Sequence, residues 1–415
     1  MHTHLYLQAA CPALAAIQPM SPVFINAGTL VSAVGAGMDA TRTALREQRS
    51  GLRPCDFPDV SLSTWIGRVD GLAFRPVRRD LSAFDSRNNR LVQYGLEQDG
   101  FAEAVSVARE RHGADRVGVI FGTSTSGILE TEAAYRQRDG AGGRLPAHFS
   151  YRHTHNTFAG ADFIRRYLGL AGPTLAISTA CSSSAKVFAS AARWLAAGLC
   201  DAVVVGGADS LCLTTLYGFS ALGLVSDEPC RPADRSRKGI SIGEGAGFAL
   251  LERSPAPAGG GLALLGYGES SDAYHMSTPH PEGLGATVAM TAALLRAGLA
   301  AEAVDYAILH GTATLANDST EDLAISRLFG NATPCSSIKG WTGHTLGAAG
   351  IINTLMAGLC ISEGYAPASL NTREVDPSFA SHILTRPLIG PLSRVISNAF
   401  GFGGNNASLI VGRSA

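Results

Sequence analysis

The stretch Ala176 to Ala189, AISTACSSSAKVFA, constrains this chain more than any other, because it sets a cysteine at the mouth of a tightly packed helix. The apolar, β-branched residues around Leu175 and Ile177 read as the end of a buried strand, and Ser182 onward has the small and apolar residues of a close-packing helix. Cys181 stands at the junction. A thiol there feels the unpaired backbone N–H groups of the helix N-terminus, which favour thiolate, the nucleophilic form. The plainer reading is a small buried core cysteine, the commoner fate of an arbitrary cysteine. The rest of the chain decides between the two.

A chain of 415 residues exceeds one ordinary core, so two domains or two fused halves are expected. Hydrophobic residues make up 46% and charged residues 16%, and 48 glycines imply many close backbone approaches. These values favour a compact α/β enzyme or an obligate oligomer. With 33 basic and 34 acidic residues the net charge is -1, which gives no support to nucleic acid or an anionic membrane as a partner. The 8 cysteines are scattered, without a C-x-x-C pair or zinc-ligand spacing, so no metal is expected and a reducing cytoplasm fits best. Residues 1–20 have an apolar run interrupted by Pro12 and Gln18, with no Lys or Arg before it. They are predicted to be an N-terminal extension packed on the body and not a signal peptide. No transmembrane helix is predicted.

From Val23 the chain alternates strand and helix. Strands are predicted at FINAGTLVS, RVGVIFG and DAVVVGGAD, with helices after Gly37, over Asn89–Arg111, after Gly127, over Asn156–Leu168 and after Cys181. The Pro, Ala and Gly run before Gly261 is the best connection between halves, which places the first half at 21–258 and the second at 259–415. The second half restarts the alternation, and its segment PCSSIKGWTGHTLGAAGIINTLMAGLC has the strand, loop and small-residue-helix outline of the Cys181 segment. Each is followed by a strand ending in glycines, VVVGG and VISNAFGFGG. Duplicated βα halves would set corresponding helix N-termini together near a pseudo-twofold axis, where a shared site would form.

Three further loops carry reactive residues just after predicted strands: HGTAT from His310, SIKGWTGHTLGAAG with Lys339 and His344, and NAFGFGGNN from Asn398. Loops at strand ends are where α/β folds build sites. A lone histidine is usually a satisfied packing residue. Two in glycine-rich loops beside a helix-capping cysteine point instead to chemistry.

In these motifs, over about Val23 to Gly412, the chain resembles the elongating β-ketoacyl-ACP synthases, condensing enzymes of the thiolase fold. The resemblance implies a five-layered αβαβα architecture. It implies that Cys181 of STACSSS takes an acyl group as a thioester, that His310 and His344 are the paired catalytic histidines, and that Lys339 is the accompanying lysine. Thr312 and Thr314 would hydrogen-bond a phosphopantetheine arm, and Phe400, Phe402 and Gly403 belong to the loop guarding the acyl pocket. Thr125 resembles a position lining that pocket at a dimer interface. The implied partners are acyl carrier protein and a second subunit, as a homodimer or as a heterodimer with a related ketosynthase-like chain. The implied reaction is decarboxylative Claisen condensation with malonyl-ACP, driven by loss of CO2 and requiring no cofactor.

Several residues depart from the resemblance. Ala313 stands where glycine is usual, Leu315 where proline is usual, Ile240 in place of an aromatic, and Asn353 in place of a glutamate near the lysine. They favour a specialised pathway, such as polyene or polyketide assembly, over bulk fatty acid synthesis. Asn353 also keeps open a non-catalytic chain-length-factor role, against which Cys181 argues. A degradative thiolase would need a second cysteine in GFGGNN, and an initiating synthase would replace one histidine by asparagine. Arg75, Arg78 and Arg79 read either as a docking patch for an acidic carrier or as a solvated loop.

Overall fold

The computed structural model describes residues 12–140, 142–256 and 261–414. The boundary expected at 258/259, and residues 1–11 of the expected N-terminal extension, lie outside these. Each half contributes five principal strands. The first half has β1 (Val23–Ser32), β2 (Val117–Gly122), β3 (Thr174–Ile177), β4 (Ala202–Asp209) and β5 (Gly245–Glu252). The second has β6 (Leu262–Ser271), β7 (Tyr306–Ile308), β8 (Pro334–Ser336), β9 (Arg394–Gly401) and β10 (Asn405–Arg413).

The duplication inferred from outline alone is explicit in the strand order. The first half runs β1-β5-β4-β2-β3 and the second β6-β10-β9-β7-β8. In both, the first two pairings are antiparallel and the last two parallel. Among the described residues, the strands of the two halves are hydrogen-bonded to each other where Val23 and Phe24 of β1 pair with Leu264 and Ala263 of β6.

Side-chain alternation along the strands separates the layers. Val203 and Val205 of β4 face a central core that also takes Leu409 and Val411 of β10, whereas Val204 and Ile410 face outward into two flanking cores. The central core holds α4 (Ser183–Ala196) and α7 (Ala349–Glu363) between the sheets. The outer core of the first half is closed by α1 (Arg87–Leu96), α2 (Phe101–His112) and α3 (Phe158–Tyr167), and that of the second by α5 (Leu284–Ala297) and α6 (Leu315–Phe329). The result is the expected αβαβα stack. Segment Leu346–Glu363, with a mean hydropathy of 1.4, has the length and composition of a membrane span, but 89% of it is buried as the central helix.

Other expectations are corrected. The single helix predicted over Asn89–Arg111 is two, split where Asp99 and Gly100 take positive φ of 54° and 65°. The freed Asp99 carboxylate accepts from the N–H of Met38 at 3.0 Å and so starts the helix Met38–Arg46. The helix Leu213–Ala221 was not anticipated. Of the N-terminal extension, Leu14 packs on Ala292 of α5 and the N–H of Met20 donates to Arg296 O at 2.8 Å.

In the molecule's centre α4 and α7 approach closely. A Cβ on Gly350 would stand 2.3 Å from the backbone nitrogen of Ala185. Gly350→Ala should therefore destabilise the fold by about 1–3 kcal/mol through overpacking, read as a lowered midpoint in urea or thermal denaturation. An unchanged midpoint would mean that the helices have room to part.

Candidate active site

Cys181 stands two residues before the first residue of α4. The turn into the helix is tight: Ala180 adopts φ of +51°, and the N–H of Thr179 donates to Ser183 Oγ at 2.9 Å. The strand feeding it, β3, differs from expectation. It is a sheet edge and not a buried strand, with Leu175 38% exposed.

The thiol itself is buried. Burial pushes it up to about 11, opposed by the Lys339 ammonium and helped by the Asp209 carboxylate, while the backbone N–H groups of Phe402 and Cys181 pull it down. The expectation of a resting thiolate is thus not met: desolvation outweighs the helix terminus, and the resting group is a thiol. Both of these backbone N–H groups therefore belong to the immediate surroundings of the nucleophile.

His344 Nε2 lies 3.1 Å from Cys181 Sγ, and the His310 and His344 rings are 5.3 Å apart and nearly perpendicular, at 83°. Both are buried, and both are held well below the ordinary histidine value by burial first and then by the Lys339 ammonium. Both imidazoles are therefore neutral at pH 7. Their tautomers are assigned from their partners. Lys339 Nζ lies 3.5 Å from His310 Nδ1 and also donates to the His310 carbonyl, so Nδ1 carries the lone pair and Nε2 the hydrogen. His344 Nδ1 is buried without a partner, where a lone pair costs less than an orphaned N–H, which again places the hydrogen on Nε2.

Sulfur and ring atoms of Cys181, His310 and His344 lie within 4.8 Å of one another, a spacing that zinc could bridge. The tautomer does not fit: a metal needs the Nε2 lone pair of His310, and the ammonium on Nδ1 keeps the hydrogen there.

These groups sit at one cavity of about 400 Å³. Thr312, Thr314, Phe400, Phe402 and Gly403 line it, as does Ile240. The two threonine hydroxyls are 2.9 Å apart, and Thr314 also caps α6. The ring of Phe402 lies 5.5 Å from that of Phe219 across the cavity. Gly401 is required here, since a Cβ would stand 2.8 Å from Thr179 O and 3.2 Å from Cys181 N. Ala313, where glycine would be free of strain, holds φ of +67°.

Thr125 is not brought to the cavity of this chain; its hydroxyl is bonded to Asp209 at 2.9 Å. The arginine cluster lies elsewhere too: Arg75 stacks on Tyr94 at 4.0 Å and Arg78 pairs with Asp80 at 2.7 Å, both against the outer helical layer. Asn353 does not touch Lys339. Its amide donates to Asn398 O at 3.1 Å and, more weakly, to Leu309 O at 3.5 Å.

Two buried carboxylates beside the HGTAT loop escaped the sequence reading. Glu321 accepts from the N–H of His310 at 2.8 Å and of Gly311 at 2.7 Å, and burial raises it to about 7. Asp318 accepts from the N–H of Ala233 at 2.8 Å and of Ala313 at 3.1 Å. Their spacing, i and i+3 on a helix that starts at HGTAT, was the available signal.

Comparison with known proteins agrees with this geometry. The β-ketoacyl synthase N-terminal domain matches residues 21–256 and its C-terminal domain residues 263–373. The chain belongs to the β-ketoacyl synthase family. Within it, this synthase is 32% identical over 413 residues to the 3-oxoacyl-[acyl-carrier-protein] synthase 2 of Vibrio cholerae, covering 94% of this chain and 99% of that one. It is 36% identical over 303 residues to nodulation protein E of Rhizobium meliloti, covering 71% and 75%. Among solved structures it matches a chain of the complex of a ketosynthase with its chain length factor from Xenorhabdus doucetiae, at 38% identity and a TM-score of 0.86, covering 95% and 98%. Cys181, His310 and His344 fit the Cys/His/His condensing type.

The raised thiol is directly testable. The alkylation rate of Cys181 by iodoacetamide should keep climbing past pH 9, with its midpoint displaced upward toward about 11. A plateau already reached by pH 7 would restore the resting thiolate.

Proposed function

We propose that this chain is a β-ketoacyl-ACP synthase that takes an acyl group on Cys181 and extends it by two carbons from malonyl-ACP. The observation that carries this reading is the convergence of one thiol and two neutral Nε2–H donors at the foot of one cavity. In the first half-reaction the Cys181 sulfur attacks the acyl thioester, the N–H groups of Cys181 and Phe402 hold the oxyanion, and the thiol proton leaves with the departing pantetheine thiol. In the second, malonyl-ACP loses CO2 and its thioester oxygen becomes an enolate oxygen, stabilised by the Nε2–H groups of His310 and His344. The enolate carbon attacks the acyl carbonyl, the Cys181–acyl bond breaks, and the sulfur takes up one proton. CO2 loss drives the step, so no metal or nucleotide is assigned a part.

The partners proposed are acyl carrier protein and a second ketosynthase-like subunit. The edge strand β3, half-exposed and running directly to the nucleophile, supports pairing with another chain. Likeness to ketosynthase and chain-length-factor complexes supports a heteromeric partner, and Ile240 and Leu315 at the cavity, with Ala313 buried between its two threonines, support a specialised polyene or polyketide-type substrate.

The test supplies acyl-ACP and malonyl-ACP and follows CO2 and ketoacyl product by mass spectrometry. Cys181→Ala should abolish acylation. His310→Ala and His344→Ala should still accept acyl groups while losing CO2 release by about 10²–10³-fold, as removal of an oxyanion donor does. No product from the native chain with its partner present, and no change on Cys181→Ala, would assign the chain the non-catalytic role.

A further inference from the structure

We infer that Asp209 is a positioning residue that locks the loop carrying His344 onto the half carrying Cys181. The inference rests on the condensing reading only for its effect on turnover; the linkage itself is geometric. Asp209 ends β4 and is wholly buried with no cation on it. Every group it meets is a donor. On its own half it accepts from the hydroxyls of Thr123 at 2.6 Å and Thr125 at 2.9 Å, the Ser124 hydroxyl, and the N–H groups of Ser124 at 3.0 Å and Thr125 at 2.9 Å. Across the pseudo-twofold it accepts from the N–H of Gly347 at 2.6 Å.

Gly347 lies three residues beyond His344 in a turn where Leu346 holds φ of +51°, so its anchor is the nearest bond from the first half downstream of the ring. Upstream, the N–H of His344 donates to Ser241 O at 2.7 Å, and its carbonyl accepts from Gly243 at 2.9 Å. A histidine belonging to the second half is thereby clamped on both sides by the first. The Gly347 contact has no slack, since a Cβ there would stand 2.6 Å from Asp209 Oδ2. Asp209 also places a negative charge near the nucleophile, and it is among the groups that raise the Cys181 thiol.

Asp209→Asn keeps the shape but turns an amide NH2 against a ring of donors and removes the charge. CO2 release should fall by about 10²-fold with the KM for malonyl-ACP little changed, as small misplacements of reacting groups do. The midpoint of Cys181 alkylation should move to lower pH. Asp209→Glu, which keeps the charge, should leave that midpoint in place. Gly347→Ala strains the same link without altering charge, so CO2 release should fall while the alkylation midpoint holds; it carries the test should Asp209→Asn not fold. Full CO2 release in Asp209→Asn or Gly347→Ala, or an unmoved alkylation midpoint in a folded Asp209→Asn, would overturn the inference. Absence of CO2 release from the native protein would instead defeat the condensing reading and leave the alkylation arm standing.

Discussion

The two central helices touch at their N-termini, and the site depends on that contact. Gly350 lies against Ala185, and the N–H of Ile351 donates to Ser184 Oγ at 2.9 Å. Cys181 lies two residues ahead of one helix and His344 just ahead of the other, so packing the helices end to end brings sulfur and imidazole together. His310 and Lys339 arrive from β7 and β8, the paired strands beside them. A duplicated fold thus yields an asymmetric site: equivalent junctions of two similar halves carry different side chains into one cavity.

Burial sets the chemistry of that cavity. Desolvation keeps the thiol protonated and both histidines neutral, and the ammonium of Lys339, buried beside His310, reinforces the second effect. Neutral imidazoles offer hydrogen without bringing a full positive charge that would bind the malonyl carboxylate too well to release CO2. The cost is stored in the loops. Ser126, Ala180, Ala313 and Leu346 all adopt left-handed backbone in loops that carry the reacting groups or are bonded to them. Strain of about 1 kcal/mol or more at each is tolerated where the surroundings over-determine the conformation, as Asp209, Asp318 and Glu321 do here by accepting loop N–H groups.

Much of this was legible in the amino-acid order. The strand, loop and small-residue-helix outline repeats around Cys181 and His344 because both helices must pack against each other and two sheets, which demands Ala, Gly and Ser on nearly every face. His310, Thr312, Thr314 and Phe402 line the cavity, and Lys339 lies behind it against His310. What stayed hidden has a common physical origin. Glu321 and Asp209 look like ordinary polar residues in the sequence, because backbone N–H groups, their partners, leave no trace in side-chain patterns. The protonation of Cys181 depends on burial in a fold not yet known, and β3 as an edge strand depends on which neighbours the sheet supplies. The two-helix break at Asp99–Gly100 was missed because the apolar spacing continues across it while the backbone does not.

The chemistry of the cavity turns on the state of two imidazoles, and 15N spectra of histidine-labelled protein report that state directly. His310 and His344 should both show the neutral form with hydrogen on Nε2 at pH 7, and should remain neutral as the pH falls through about 6.5, where free histidine titrates. A doubly protonated ring at pH 7, or hydrogen on Nδ1 of either residue, would contradict it.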